Sequence, residues 1–179
     1  MKITIKKEQK GDYQITEEVV TSAFKNAEYS DHNEHHLVSK IRQSDAFIPE
    51  LSLVAINQEN NRIVGHILLS KIQIAGADRV EESLALAPVS VLPEYQDKGI
   101  GKALIREALK TATELDYGSV IVLGHPDYYP KFGFKAGSTY GIQSPFEVPE
   151  ENFMAVELQA NGLENVSGIV EYPSVFFEE

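Results

Sequence analysis

The chain has 179 residues, a formal net charge of −11 and no cysteine. That length reads as one domain of ordinary size with room for a real core, and the missing cysteines remove disulfide frameworks, cysteine nucleophiles and thiolate metal sites together. The negative charge argues against a nucleic-acid partner, which would need a basic face, and favours a cationic substrate.

The chain opens on an alternating polar pattern that predicts a strand over Lys2 to Lys7 rather than a signal peptide. No apolar run approaches membrane-spanning length, so a cytoplasmic protein without a membrane partner is the expectation. Thr16-Glu17-Glu18 opens a helix running to about Lys25, and a second helix spans about Asn33 to Gln43. Leu51 to Ile56 and Ile63 to Ile74 read as strands joined into a hairpin by the polar turn Asn57 to Asn61. Gly76 to Glu82 is a charged loop. Ala85 to Leu92 is apolar at nearly every position and stops at Pro93, the pattern of a strand buried on both faces. From Ile100 the period changes: Ile100, Ala103, Leu104 and Ala108 form an apolar stripe, widened by Ile105, Leu109 and Ala112, with Lys102, Arg106 and Lys110 as a basic ridge opposite. Then come a short strand at Val120 to Leu123, a short helix carrying Tyr129, and strands near Lys135 to Gly141, Phe153 to Leu158 and Gly168 to Tyr172. This order predicts a mixed α/β sheet with helices on both faces.

The chemistry concentrates at the junction Gln96-Asp97-Lys98-Gly99-Ile100-Gly101. The first turn of a helix has backbone N–H groups without internal partners and carries partial positive charge, so it favours an anion. Glycine accepts positive φ and puts no side chain between a phosphate and those N–H groups. Lys98 and Lys102 add cationic charge. An ordinary strand-to-helix turn would also use glycine, so the junction alone leaves both readings open. Two phosphate motifs are excluded. Gly101-Lys102 is followed by Ala103 rather than the hydroxyl residue of a Walker A loop, and Leu104 stands where a Rossmann fingerprint needs its third glycine.

The run Val91 to Ile105 resembles the acetyl-CoA motif of the GCN5-related N-acetyltransferase (GNAT) superfamily, Gln/Arg-x-x-Gly-x-Gly/Ala after a strand ending in Val-x-Pro. Tyr129-Pro130-Lys131-Phe132-Gly133-Phe134 is similar to the superfamily's Tyr-x-x-x-Gly-Phe segment, and the wording around Gly124 to Pro130 and Gly168 to Pro173 looks like its YhbS-like branch. The resemblance implies a GNAT-type fold, a mostly antiparallel central sheet with a splayed pair of strands at the cofactor site. It implies acetyl-CoA as cofactor, held by backbone groups of Val89, Ser90 and Val91 and by Gln96, Asp97, Lys98, Gly99, Ile100, Gly101 and Lys102. A β-bulge at Pro88 or Ser90 would help open the splay.

Direct attack of an amine on a thioester needs the amine deprotonated, the developing oxyanion stabilised and the thiolate protonated. Tyr129 stands where the resemblance places the proton-donating tyrosine; its other reading is a core aromatic among Tyr128, Phe132 and Phe134, and Tyr128 competes by adjacency. For the base, Glu81, Glu82, His66 and His125 are candidates, each with a structural or solvated alternative. His32, His35 and His36 have a spacing that could join two imidazoles, but no third ligand pattern follows and no metal is expected. By resemblance, Asn26 to His36 would select the acceptor, a small-molecule amine or a peptide amino group, and a homodimer is the family habit. Where many relatives carry Asn before the tyrosine helix, this chain reads Leu123-Gly124-His125-Pro126. A non-catalytic acyl-CoA-binding module is the reading from outside enzymology.

Overall fold

The computed structural model describes residues 1–27 and 30–177. Among them, nine strands and three α-helices follow the order β1 (Ile3–Lys7), α1 (Tyr13–Phe24), α2 (Glu34–Arg42), β2 (Ser52–Asn57), β3 (Arg62–Ala75), β4 (Val80–Val91), α3 (Ile100–Glu114), β5 (Ser119–Leu123), β6 (Lys135–Ala136), β7 (Ile142–Gln143), β8 (Phe153–Glu157) and β9 (Gly168–Glu171). The sheet runs β1-β2-β3-β4-β5-β8-β6, and β4 with β5 is the parallel pair on that path. Its second half curls back on itself: β9 pairs with the end of β3 on one side and with β7 on the other. The mixed, mostly antiparallel α/β architecture expected from the sequence is the one observed.

Several boundaries move for local reasons. Helix α1 begins at Tyr13, ahead of Thr16, because a 3-10 turn at Lys10–Asp12 leads straight into it, with the Gln9 N–H donating to Asp12 Oδ2 at 2.9 Å. The charged loop before β4 is shorter than Gly76 to Glu82, since Val80, Glu81 and Glu82 already pair with Ala75, Ile74 and Gln73. The strand expected over Lys135 to Gly141 keeps two residues; Gly137–Tyr140 closes into a 3-10 turn and Gly141 takes φ 72°.

Helix α3 covers one face of the sheet. Leu104, Ile105, Ala108 and Ala112 are buried in one cluster with Ile67, Leu69, Leu84 and Leu86. Gly65 on β3 makes the approach close: a Cβ there would stand 3.1 Å from the Leu104 side chain. Helices α1 and α2 cover the other face, where Val20, Val38 and Ile41 enclose Leu68.

Between α1, α2 and the sheet runs a chain of buried polar groups. Arg42 donates to Glu8 at 2.7 Å and to Glu17 at 3.2 Å, with its guanidinium 3.9 Å from the centre of the Tyr13 ring. Ser52 donates to the other Glu8 oxygen at 2.8 Å, and His66 Nε2 stands 3.1 Å from the same hydroxyl. Because Ser52 spends its proton on a carboxylate, His66 must donate to it, which assigns the ring proton to Nε2 and leaves Nδ1 a bare acceptor. Burial, aided by the Arg42 charge, lowers the His66 pKa to about 3.

Two outcomes follow from this packing. Leu104→Ala removes a fully buried side chain between α3 and β3 and is expected to cost about 2–5 kcal/mol, read from the urea midpoint. His66 stays neutral in the fold while the unfolded chain takes up a proton near pH 6.5, so its contribution is complete above pH 6.5 and is lost as pH falls toward 3. Unfolding free energy should therefore drop by about 2 kcal/mol between pH 7.5 and pH 5 on account of this one group, and His66→Gln should remove that part of the drop.

Candidate active site

Strands β4 and β5 pair only at Leu84↔Val120 and Ala85↔Ile121, and then they part. From Leu86 to Val91, β4 keeps β3 on one side, with Val89, Ser90 and Val91 opposite Ile67, His66 and Gly65. Its other edge faces a gap. The register slips by one residue between Ile67↔Val89 and Leu69↔Leu86, so Ala87 and Pro88 bulge opposite Leu68. Of the two bulge positions expected from sequence, Pro88 is the one used, and Ser90 stays in register. A bulge bends the strand and strengthens its twist, which steers β4 away from β5.

The gap leads to the start of α3. Leu92 is fastened to Val64 by a backbone bond of 2.9 Å, and Gln96 Nε2 donates to the Val91 carbonyl at 3.0 Å, so the connecting loop is tied to the strand it leaves. Asp97 and Gly99 take positive φ, 62° and 83°, and swing the chain into the helix. No side chain caps α3, so the N–H groups of its first turn point outward without a side-chain partner. Lys98 and Lys102 are exposed beside them. A Cβ on Gly101 would lie 3.5 Å from the Tyr128 hydroxyl, which therefore stands at the mouth of this turn. The residues singled out in the sequence, Val89 to Val91 and Gln96 to Lys102, thus line one continuous path from the gap to an uncapped helix start.

Tyr129 begins a 3-10 turn, Tyr129–Phe132, just past the end of β5. Its ring lies flat against Gly124, where any Cβ would collide with it, and Phe134 meets it edge-on at 5.6 Å. Burial, then the neighbouring Tyr128, pushes the Tyr129 pKa up to about 12. The reading of Tyr129 as a core aromatic is the one seen: it is buried in the main core cluster, just past the end of β5. Gly124 serves as the ring's seat. Its N–H donates to the Asn152 carbonyl at 2.8 Å.

The candidate bases are dispersed. Glu82 lies roughly 20 Å along β4 from Pro88 at the ordinary strand rise, and Glu81 is ion-paired with Arg79 at 3.3 Å, so neither borders the gap. His66 is fully enclosed, although it faces Ser90 across the β3–β4 pair, and the Ser90 hydroxyl, like His66 Nδ1, has no protein partner among the described residues. His125 is exposed where the chain leaves β5, its carbonyl accepting the N–H groups of Tyr128 and Tyr129. His35 and His36 lie on α2 with ring centres 4.0 Å apart, and His32 precedes the helix at φ 60°. Of the acceptor stretch Asn26 to His36, residues 28 and 29 fall outside the described part.

Two cavities matter for what could bind. One of about 390 Å³ opens at the mouth of the curled half of the sheet, over Ile142, Phe146, Val148 and Phe153. Its position carried no signal in the sequence, since it depends on β6 to β9 closing on one another. The other, about 430 Å³, sits beside Lys71, Gln73 and Glu82 at the far end of β4, away from the gap and the helix start.

Known proteins share this arrangement. Residues 14–134 match the model of the Acetyltransferase (GNAT) family. The chain is 34% identical over 144 residues to the uncharacterized N-acetyltransferase YjhQ of Escherichia coli strain K12, covering 80% of this chain and 76% of that protein. A GNAT family acetyltransferase from Brucella melitensis, solved in complex with acetyl-CoA, superposes with a TM-score of 0.79 at 31% identity over 98% of both chains. The fold of YhbS from Escherichia coli, solved in complex with CoA, matches with a TM-score of 0.84 at 24% identity, over 99% of this chain and 93% of that one. The parted strands, the uncapped helix start and these matches agree: the chain belongs to the GNAT acetyltransferase family.

Proposed function

We propose that this protein transfers the acetyl group of acetyl-CoA directly to the primary amine of a small molecule. The observation that carries the reading is the parting of β4 from β5 beside an uncapped helix start, which offers a free strand edge and an anion site in one line. Acetyl-CoA, when bound, supplies the activated acetyl group. The β4 edge at Val89 to Val91 would pair with the amide groups of its pantetheine arm, and the N–H groups of Ile100, Gly101 and Lys102 would hold its diphosphate, with Lys98 and Lys102 adding charge. The Tyr128 hydroxyl at Gly101 would donate to the same diphosphate, which leaves Tyr129 for the sulfur.

In the transfer, the acceptor nitrogen forms a bond to the acetyl carbon as the carbon–sulfur bond breaks. The proton lost by the nitrogen passes to solvent water, and the sulfur departs as a thiolate that takes one proton back from water, giving the amide and CoA. Tyr129, buried and neutral, donates a hydrogen bond to that sulfur. With a phenol near 12 facing a thiol near its ordinary value of about 8.5, it stabilises the thiolate mainly by that bond and parts with its proton reluctantly.

Calorimetric titration with acetyl-CoA and with CoA tests the cofactor site. One-site saturation is expected, weakened about ten-fold or more by Lys102→Glu, and an absence of binding at millimolar cofactor would overturn the reading. Tyr129→Phe is expected to lower kcat by about 10- to 100-fold while cofactor affinity holds. A protein that only binds acyl-CoA would have no turnover for this change to reduce.

A further inference from the structure

Residues 135–177 lie beyond the stretch matched by the family model, and they close the curled half of the sheet next to the gap. Phe153 pairs with Leu123, the last residue of β5, and Leu123 is 53% exposed although its strand is otherwise buried. Leu123 shares a sheet face with Ile121, whose cluster includes Phe153. Leu123, exposed where β5 runs past its pairing with β4, thus stands beside Phe153, which floors the 390 Å³ cavity. The two residues are one strand spacing apart, about 4.8 Å.

Phe146, in the lining of this cavity, is 49% exposed. It stacks at 6.0 Å and 17° on Tyr172, which lines the neighbouring 430 Å³ cavity, and meets Phe177 edge-on at 5.5 Å. Nothing in the fold requires two phenylalanines to stand half in water here. The charge is equally one-sided. After Lys135 the chain has eight glutamates and no Lys, Arg or His. Glu147, Glu150 and Glu151 belong to the loop that forms the mouth, with Glu150 in the lining itself.

We infer that the acceptor is a small cationic amine with an aromatic body, whose ring stacks on the Phe146–Tyr172 shelf and whose amino group reaches along Leu123 to the gap. The inference rests on the acetyl-transfer reading and adds the class of substrate. Stacked rings supply affinity and orientation, and the surrounding carboxylates draw in the ammonium form. The cavity's size suits one ring with a short side arm, at the lower end of the range for small-molecule sites. A polyamine would leave the aromatic shelf in water, and a peptide would have to enter through the cavity rather than across an open groove.

The test measures acetyl-CoA turnover with phenethylamine, butylamine, spermidine and a lysine peptide in parallel. Phenethylamine is expected to exceed butylamine in kcat/KM by about ten-fold, chiefly through KM, and Phe146→Ala should collapse that ratio toward one. Equal use of the two monoamines, preference for spermidine or the peptide, or an unchanged ratio in the variant would overturn the inference. Calorimetry with CoA on both proteins separates the outcomes: loss of CoA binding by the wild type refutes acetyl transfer itself, whereas intact binding in Phe146→Ala shows that its fold survives. Should CoA bind without turnover of any amine, titration of phenethylamine into the CoA complex decides, and failure to saturate overturns the aromatic site.

Discussion

Two residue pairs hold β4 to β5, and the rest of the molecule is arranged around the fact that there is no third. A parallel pair that ended cleanly would leave two strands with ragged edges, a liability in water. Here β4 runs on for six residues with β3 alone as its neighbour, supported by the bulge at Ala87 and Pro88 on one side and by α3 packed beneath. The helix start then falls where the free edge runs out. An extended ligand with amide groups and a diphosphate, as proposed for this site, would find both kinds of partner already in place, with little ordering left for binding to supply.

The sequence carried this part of the molecule because its determinants are local. A buried strand closing at Pro93, a glycine pair and a change of period at Ile100 are each readable within about thirty residues, and each is dictated by backbone geometry that few residues satisfy. The same holds for Tyr129, whose neighbours in sequence, Gly124 to Phe134, are also its neighbours in space. The cavity over Phe153 had no such signal. Phe146, Phe153 and Tyr172 are spread over some thirty residues of irregular chain, and they meet only because β9 joins β3 to β7. Glu82 shows the converse: close to Val89 to Val91 along the chain, it lies at the opposite end of β4.

The polar chain from Glu17 through Arg42, Glu8 and Ser52 to His66 is built differently from both. Each member bonds to the next, across α1, α2, β1's exit, β2 and β3, so the chain fixes the helices to the sheet with directional bonds where apolar packing would tolerate sliding. It ends at His66, opposite Ser90 of β4. A buried ion pair adds little net stability compared with an apolar substitute, yet it makes the position of its partners unique. What it makes unique here is the distance between the helical wall and the free edge of β4.

The pairing of β9 with Gln73, Ile74 and Ala75 has a consequence for how the chain is born. During synthesis the end of β3 leaves the ribosome nearly a hundred residues before the strand that covers its outer edge. Contacts separated that far are slow to form because the loop between them must be closed first. Until Gly168 to Glu171 arrives, the outer edge of β3 at Gln73 to Ala75 lacks the strand that will pair with it, beside apolar residues destined for the interior. The strand and helix around the parting of β4 and β5 can form early, whereas the curled half of the sheet waits for β9.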